Sequence, residues 1–369
     1  MEGIRAHMRR ALQLAERGWG RVSPNPMVGA VVLDARGRVV GEGYHAGPGS
    51  PHAEVVALRD AGERARGGTL VVTLEPCDHT GRTGPCTREV LAAGIARVVA
   101  ATRDPNPLVD GAGFRRLRTA GVEVDVGVLG EEAERLNAAF ARHVRTGLPF
   151  VVLKTAASLD GRTATRTGAS RWITSAEARR DAHRLRAWAD AIVVGSGTAL
   201  ADDPQLTVRE PAWADARPPI RVVVDGRGRV PPTARLGDGS APTLVATTER
   251  APRKRREAWR RAGAEVVVLD ADAQGHPALG ALLERLGKRD VQGVLVEGGA
   301  TLAWGFVRAG LVDRVVAYLA PTLLGGAEAP GVLGGAGVAT LAEGVALRFV
   351  SAEPVGPDLK VVADVQRDR

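Results

Sequence analysis

The chain has 369 residues, of which 44% are hydrophobic and 25% are charged, a balance typical of a globular protein long enough for two domains. No apolar run approaches the roughly 18 residues that a membrane helix needs, and the two cysteines exclude a disulfide framework. The N-terminal segment lacks the pattern of a secretory leader, so we expect a cytoplasmic protein without membrane partners.

Hydrophobic periodicity predicts alternating helices and strands through the first 144 residues. The first helix begins near Ile4 and ends at Gly18, and β-branched residues at 28–33 predict the first strand. The elements predicted next are helix 53–65, strand 69–74, helix 87–93, strand 97–102, helix 114–120, strand 122–128 and helix 131–144. This alternation indicates one α/β domain with a mixed or parallel sheet covered by helices.

The turn formers at 145–149 predict a boundary between two domains, 1–146 and 147–369. A second alternation follows, with predicted strands 150–153, 191–194, 220–224, 244–246, 266–269 and 294–296, and predicted helices 176–188, 253–262, 278–287 and 300–309. The last predicted strands, 314–319, 347–350 and 359–365, have no helices between them. The second domain is therefore expected to be α/β with an antiparallel edge.

A His-x-Glu pattern followed by two prolyl-cysteine pairs indicates a zinc site. His52, Cys77 and Cys86 are ligand types that suit Zn²⁺, and each stands near a predicted helix or strand end, where open α/β sheets place their sites. Three protein ligands leave one tetrahedral position for water, as in catalytic sites. Glu54 could then carry a proton from that water to a leaving amine, as in zinc-dependent nucleobase deaminases. The cysteines stand nine apart, so a longer loop is expected, and its His79 is a rival ligand.

Inert buried thiols and a loop histidine are the alternative interpretation of these residues. It would suit a lone cysteine pair, but these two are the only cysteines, each neighbours a proline, and both follow the His-x-Glu pattern. We therefore favour the metal site.

Longer strings along nearly the whole chain identify a family. They are SPNPMVG at 23–29, GEGYH at 41–45, PHAE at 51–54, EPCDHTGRTGPC at 75–86, DPNP at 104–107, SLDGR at 158–162, WITS at 172–175, ADDPQLTVR at 201–209 and VEGG at 296–299. Together with Lys154 they resemble the bifunctional deaminase/reductase family of riboflavin biosynthesis. Asp78 and Gly84 depart from the family pattern, which expects Ser and Pro there.

The resemblance implies that the first domain is a cytidine-deaminase-like three-layer α/β/α fold. It implies hydrolytic deamination of 2,5-diamino-6-(5-phosphoribosylamino)pyrimidin-4(3H)-one, a phosphorylated pyrimidine. His52, Cys77 and Cys86 carry over as zinc ligands and Glu54 as the catalytic proton shuttle. The implied substrate-binding residues are Asn25, His45, Arg82, Asp104 and Asn106. From the residues alone, both Asn-Pro loops would be ordinary turns.

For the second domain the resemblance implies a dihydrofolate-reductase-like fold that uses NADPH to reduce the ribosyl group of the deaminated product to ribityl. No G-x-G-x-x-G follows a strand, so a Rossmann site is not indicated. A strand instead leads into a Gly-Gly turn and a helix, which suits a pyrophosphate. The implied cofactor-binding residues are Ala156, Trp172, Thr198, Asp202, Gly298 and Gly299, and the implied substrate-binding residues are Ser170, Arg186, Leu206, Arg209 and Glu297.

Lys154 is one of only four lysines among 50 basic residues, so its retention calls for a local reason. It is predicted to end strand 150–153 at the carboxyl edge of the sheet. We expect a catalytic role there, contacting substrate or polarising the sugar oxygen, with Asp202 or Glu297 nearby.

The net charge of +8 leaves other functions open. A tRNA or nucleobase deaminase with an accessory domain would suit a basic chain, but aromatic residues for stacking bases are scarce at 4%. A non-catalytic zinc-stabilised interaction protein would not need Glu54 or an open metal position. A chain with one live activity is a further alternative. We expect the excess of arginine to reflect a bias in surface composition, together with a few sites for phosphorylated small-molecule substrates. We also expect no nucleic-acid partner and a homo-oligomer.

Overall fold

A computed structural model describes residues 2–79, 84–107 and 109–367. It divides into two compact units, Met1–Gly147 and Leu148–Arg369. No helix within the described ranges is both long enough and apolar enough to cross a membrane.

The first unit is built on a mixed five-stranded sheet. Its strands are β1 (Gly29–Leu33), β2 (Val39–Tyr44), β3 (Thr69–Val72), β4 (Arg97–Ala100) and β5 (Glu123–Val126). Their order is β2-β1-β3-β4-β5, with β1 antiparallel to both neighbours and β3, β4 and β5 parallel. Its helices are α1 (Glu2–Ala15), α2 (Ala53–Ala61), α3 (Cys86–Ala92), α4 (Ala112–Thr119), α5 (Gly130–Leu136) and α6 (Ala138–Thr146).

Helices cover both faces of this sheet because alternate strand residues point to opposite sides. Val32 and Val72 belong to a core shared with α2, α3 and α4, whereas Val31 and Val71 belong to a core shared with α1 and α5. The predicted three-layer α/β/α arrangement is confirmed.

Glycines in β2 bring α2 directly onto the sheet. A Cβ added at Gly43 would lie 2.4 Å from the Ala53 carbonyl oxygen, and one added at Gly41 would lie 2.3 Å from that of Ala57. These glycines also explain why no strand was predicted at 39–44, since they interrupt the apolar pattern. The close packing fixes the first turn of α2.

The predicted helix 131–144 is two helices that meet at Asn137. The buried Asn137 amide accepts a hydrogen bond from the Met27 backbone N–H and donates one to the Met27 carbonyl, both at 2.8 Å. This pair of bonds holds the SPNPM segment against the helical layer, a role that periodicity alone does not indicate.

The second unit is built on a nine-stranded sheet. Its strands are β6 (Phe150–Ser158), β7 (Ala191–Gly195), β8 (Ile220–Val224), β9 (Thr243–Thr247), β10 (Glu265–Val268), β11 (Gly293–Glu297), β12 (Arg314–Ala320), β13 (Leu347–Val355) and β14 (Asp358–Val365). Their order is β10-β9-β8-β7-β11-β6-β12-β14-β13. Pairing is parallel from β10 to β12 and antiparallel for β14 and β13, which confirms the predicted antiparallel edge.

Helices also cover both faces of the second sheet. They are α7 (Ala176–Trp188), α8 (Ser196–Asp202), α9 (Arg253–Arg261), α10 (Leu279–Gly287) and α11 (Ala300–Arg308). α7 and α9 pack on one face, where Val152 and Tyr318 lie, and α10 and α11 pack on the face that contains Leu153. The seven-residue α8 was not predicted because it is too short to show a helical period.

The predicted end of the strand at residue 153 is wrong, because β6 continues to Ser158. β12 pairs with β6 from Val152 to its last residue, Ser158, and this pairing sustains the strand. Lys154 therefore lies within β6. Its neighbour β11 ends at Glu297, which is paired directly with Lys154, so the ammonium still reaches the carboxyl edge of an adjacent strand.

Candidate active sites

Three elements of the first unit bring the predicted metal ligands together. His52 directly precedes α2, Cys77 lies in the loop after β3, and Cys86 is the first residue of α3. The Nδ1 atom of His52 lies 3.1 Å from Cys86 Sγ and 3.6 Å from Cys77 Sγ, and the three ligand atoms lie within 4.8 Å of one another. His79 is exposed and is not part of this group.

The donor set and its spacing fit a tetrahedral zinc ion. Zn–S bonds of about 2.3 Å and Zn–N bonds of about 2.0 Å at tetrahedral angles put ligand atoms roughly 3.5 Å apart. Hydrogen bonding from Cys86 and His52 lowers the pKa of Cys77 to about 4, whereas the neighbouring Cys77 sulfur and burial raise the pKa of Cys86. One thiolate is therefore favoured before a cation neutralises both.

Glu54 lies in the first turn of α2, two residues from His52, and its side chain is hydrogen-bonded to Cys86. It is 3% exposed. Burial, with a further contribution from the charge of Cys77, raises the pKa of Glu54 to about 7. A carboxyl group with this pKa can both accept and release a proton at neutral pH.

Asn25 and His45 form a hydrogen-bonded chain beside the metal ligands. Asn25 Nδ2 donates to His45 Nε2 at 2.9 Å, and His45 Nδ1 then donates to the Pro51 carbonyl oxygen at 3.2 Å. Burial lowers the pKa of His45, so its ring is neutral at pH 7. The ring stands edge-on to that of His52, with centroids 5.5 Å apart. The structure thus places both predicted substrate-binding residues next to the cluster.

Glu75 organises the other side of this site. Its buried carboxylate accepts four backbone N–H bonds, from Asp104, Gly111, Gly113 and Phe114, at 2.9 to 3.3 Å. It thereby ties the end of β3 to the 104–114 segment. The sequence indicates no role for Glu75, because a side chain that bonds only backbone N–H groups leaves no sequence signal.

Asp104 and Asn106 sit in the segment that Glu75 holds. The Asn106 backbone N–H donates to Asp104 Oδ1 at 2.8 Å. Burial raises the pKa of Asp104 to about 6, and the charge of Glu75 adds to this shift. Arg82, the remaining predicted substrate-binding residue of this domain, lies outside the described residues.

In the second unit, Lys154 faces an ion pair between Arg186 and Glu297. Arg186 donates from Nε and Nη2 to the two carboxylate oxygens of Glu297 at 2.9 and 2.6 Å. Burial alone would raise the pKa of Glu297, but Arg186 outweighs it and lowers that pKa to about 2. Burial lowers the pKa of Lys154, and Glu297 partly opposes this shift. Asp202 and Glu297 are the two carboxylates expected near Lys154. The structure places Glu297 next to Lys154, whereas Asp202 forms an ion pair with Arg171 at 3.1 Å.

The Gly298-Gly299 turn joins β11 to α11 and forms an open cradle with Thr198. Both glycines have φ near +80°, and a Cβ at Gly299 would lie 3.2 Å from Thr198 Oγ1. Gly299 is the N-cap of α11, where backbone N–H groups and the helix dipole favour a phosphate. The space left by the two glycines, which a Cβ would fill, lies at the N-terminus of α11. This combination fits the pyrophosphate of the expected dinucleotide.

The remaining predicted residues are more scattered. Ser170 and Trp172 are exposed, and the Arg179 guanidinium lies 4.4 Å from the centre of the Trp172 ring. Leu206 is buried in the core, so its side chain packs inward.

Arg209 is exposed on the same side of the unit as α7. Its backbone N–H donates to Nδ1 of His183 at 3.3 Å. Ala156 lies on the same face of β6 as Lys154, paired with Tyr318. The sequence alone indicates no role for His183.

Comparison with known families and proteins gives consistent matches. The family model for the RibD C-terminal domain matches residues 149–361, and the model for the cytidine and deoxycytidylate deaminase zinc-binding region matches residues 1–102. The chain is 46% identical over 366 residues to the riboflavin biosynthesis protein RibD of Escherichia coli (strain K12), covering 96% of this chain and 97% of the relative. It is 43% identical to RibD of Aquifex aeolicus (strain VF5), covering 96% of each.

Solved structures agree over the full length. Acinetobacter baumannii RibD, form 1, is 37% identical with a TM-score of 0.87, covering 99% of both chains. A diaminohydroxyphosphoribosylaminopyrimidine deaminase/5-amino-6-(5-phosphoribosylamino)uracil reductase from Thermotoga maritima is 36% identical with a TM-score of 0.86 over the same share of both chains.

Proposed function

The chain belongs to the RibD family, and from this premise we propose which of its residues carry the family's two reactions. It is a bifunctional enzyme of riboflavin biosynthesis, with a zinc-binding deaminase domain and an NADPH-dependent reductase domain. The tRNA-deaminase and interaction-protein alternatives give no account of the matches along the second unit. We also propose the domain limits 1–146 and 147–369 and the roles of the individual site residues.

Glu54 is the proposed proton carrier of the deaminase. When bound by His52, Cys77 and Cys86, Zn²⁺ lowers the pKa of water towards 7 and supplies a nucleophile at neutral pH. Glu54 accepts a proton from the attacking water and delivers it to the departing amino group. The observation that carries this assignment is the buried Glu54 carboxyl, hydrogen-bonded to Cys86 beside the cluster.

A Glu54→Gln variant tests the deaminase assignment. It should keep one zinc per chain by elemental analysis and lose ammonia release by about 10²- to 10⁴-fold, because only the proton carrier is removed. Cys86→Ser is the contrasting variant, which should lose both zinc and activity. Full ammonia release by zinc-loaded Glu54→Gln would contradict the assignment.

Near the metal site, Asn25, His45, Asp104 and Asn106 are the proposed contacts to the pyrimidine and its phosphorylated chain. Arg82, which lies outside the described residues, is a further proposed contact. The neutral His45 and the half-buried loop around Asp104 offer hydrogen-bonding groups without adding a net cation beside the metal.

In the reductase, NADPH supplies hydride, and the chain's own residues bind and orient the reactants. The Gly298-Gly299 turn and Thr198 are proposed to hold the pyrophosphate, with Ala156, Trp172 and Asp202 along the cofactor. Lys154 is proposed to polarise the sugar oxygen, and the Arg186–Glu297 pair to fix its surroundings. Ser170, Arg209 and the backbone at Leu206 are the proposed remaining substrate contacts.

Lys154→Met should slow NADPH oxidation on the deaminated substrate at least tenfold while leaving NADPH affinity, measured by fluorescence titration, within about twofold. An unchanged reduction rate would contradict the role of Lys154.

A homo-oligomer is proposed through the edge strand β13, whose partner would be the same strand of a second copy. β13 ends the nine-stranded sheet, and Phe349 on it is 75% exposed. Edge strands with exposed apolar side chains favour pairing, and a twofold axis perpendicular to the strands would make two copies of β13 antiparallel. Phe349→Glu should lower the mass measured by light scattering; an unchanged mass would contradict this interface. The cytoplasmic location and the lack of nucleic-acid partners stay predictions.

A further inference from the structure

A buried tyrosine lies beside Lys154 on the same face of the sheet. β6 and β12 pair in parallel so that Val316 is opposite Lys154 and Tyr318 is opposite Ala156, two residues further along. The Lys154 Nζ atom lies 5.8 Å from the centre of the Tyr318 ring. This distance is within the range of a cation–π contact, in which the electron-rich ring face attracts the ammonium.

Two further side chains hold the Tyr318 ring in place. The Tyr318 hydroxyl donates to Asp181 Oδ2 at 2.6 Å, and the same oxygen lies 2.7 Å from Lys360 Nζ. Tyr318 is 1% exposed, and Lys360, its direct partner on β14, is 8% exposed. Two of the four lysines of the chain therefore flank one tyrosine, one at its ring and one beyond its hydroxyl.

The Tyr318 ring stabilises the positive charge of Lys154, which has no carboxylate partner in an ion pair within the described residues. Both Glu297 oxygens are engaged by Arg186, and no ion pair within the described part of the chain joins Lys154 to an acidic side chain. Glu297 on β11 attracts the Lys154 ammonium and Arg186 on α7 repels it. His183, Asp181 and Arg184, also on α7, are further titratable groups that act on this region. A ring face attracts the ammonium without taking its proton.

We propose that Tyr318 is a positioning residue of the reductase site, whose ring holds the Lys154 ammonium beside the end of β11 while Asp181 and Lys360 fix the ring. This inference rests on the proposed role of Lys154 in reduction. Tyr318 acts through Lys154 and touches neither substrate nor cofactor in this assignment.

The small number of lysines allows a direct test. Reductive methylation of the full-length protein with ¹³C-formaldehyde labels four lysine side chains and the N-terminal amine, and Lys154→Arg identifies the Lys154 signal. In Tyr318→Leu, the titration midpoint of Lys154 should fall by roughly one pH unit. Its methyl signal should also lose the upfield shift that a ring face produces. Tyr318→Phe keeps the ring and should retain that shift.

Tyr44→Leu is the matched control, because Tyr44 is the other tyrosine of the chain and lies in the first unit. The Arg17 guanidinium carbon lies 5.7 Å from the centre of the Tyr44 ring, a similar cation–π contact. It should leave the Lys154 signal unchanged. If Tyr318→Leu does not fold, Tyr318→Met, which better fills the space, replaces it. An unaltered Lys154 midpoint and methyl shift in the folded variant would overturn the inference. Full reductase activity in Lys154→Met would instead overturn the proposed function of Lys154.

Discussion

At the scale of single residues, buried charges hold both sites together. Glu75 in the first unit and Glu297 in the second are both less than 10% exposed, and each carboxylate has every oxygen engaged. Their partners differ: Glu75 bonds backbone N–H groups, whereas Glu297 bonds a guanidinium. The bonds to Glu75 fix the geometry of the backbone, and the guanidinium of Arg186 balances the negative charge of Glu297.

Glu75→Gln should destabilise the first unit by about 2–4 kcal/mol, because an amide nitrogen replaces one oxygen that accepts backbone N–H bonds and buried donors lose their partner. Urea unfolding followed by circular dichroism measures the change. Glu63→Gln is a suitable control, since the Glu63 side chain is 94% exposed. Equal stabilities of the two variants would contradict the role given to Glu75.

His183 makes the second unit sensitive to acid. Burial, followed by the charges of Arg186 and Arg209, lowers the pKa of His183 to about 4, below its ordinary value of 6.5. Protonation therefore favours the unfolded chain, and the free energy of unfolding should fall as the pH drops from about 6.5 to about 4. In His183→Gln this part of the pH dependence should disappear from denaturant melts. If the free energy of unfolding depends on pH equally in His183→Gln and in the unmodified protein, His183 is not the source of the acid sensitivity.

At the scale of elements, the packing of α2 on β2 places His52 and Glu54. Gly43→Ala should weaken zinc binding and lower the midpoint of thermal unfolding, because its Cβ would lie 2.4 Å from a backbone oxygen of α2. Gly3→Ala, in α1 with no atom within 4 Å of the added Cβ, should cost nothing. Competition with a chromophoric chelator measures zinc affinity; equal affinities would show that α2 tolerates the shift.

The sequence predicts the interior elements well and the exceptional ones poorly. Apolar runs such as 191–194 give the strand bounds to within one residue, since a strand buried on both faces of the sheet requires apolar side chains. β2 is missed because of its glycines, and the break at Asn137 is missed because the helical period continues across it. The extension of β6 beyond Lys154 depends on pairing with β12, which lies about 160 residues further along the chain.

The sites divide in the same way. Ligand chemistry and spacing predict His52, Cys77 and Cys86, because zinc demands particular side chains. Glu75 and Tyr318 could not be predicted, because backbone N–H groups and a ring face make no comparable demand on sequence.

At the scale of the whole molecule, one chain joins a deaminase domain to a reductase domain. The arginine excess that raises the net charge to +8 plays a small part in assigning these two activities. Arg186 serves a site through a buried ion pair, whereas Arg88 and Arg180 form exposed ion pairs, a kind that contributes little to stability.

The most direct test of this division mixes two variants. Glu54→Gln and Lys154→Met are each supplied with the diaminopyrimidine substrate and NADPH, and ammonia release and NADPH oxidation are followed separately. Glu54→Gln alone should give neither signal, and Lys154→Met alone should release ammonia normally while oxidising NADPH at least tenfold more slowly than the unmodified protein. The equimolar mixture should do both, because the product of one protein is the substrate of the other. A mixture that releases ammonia but oxidises NADPH no faster than Lys154→Met alone would contradict this division.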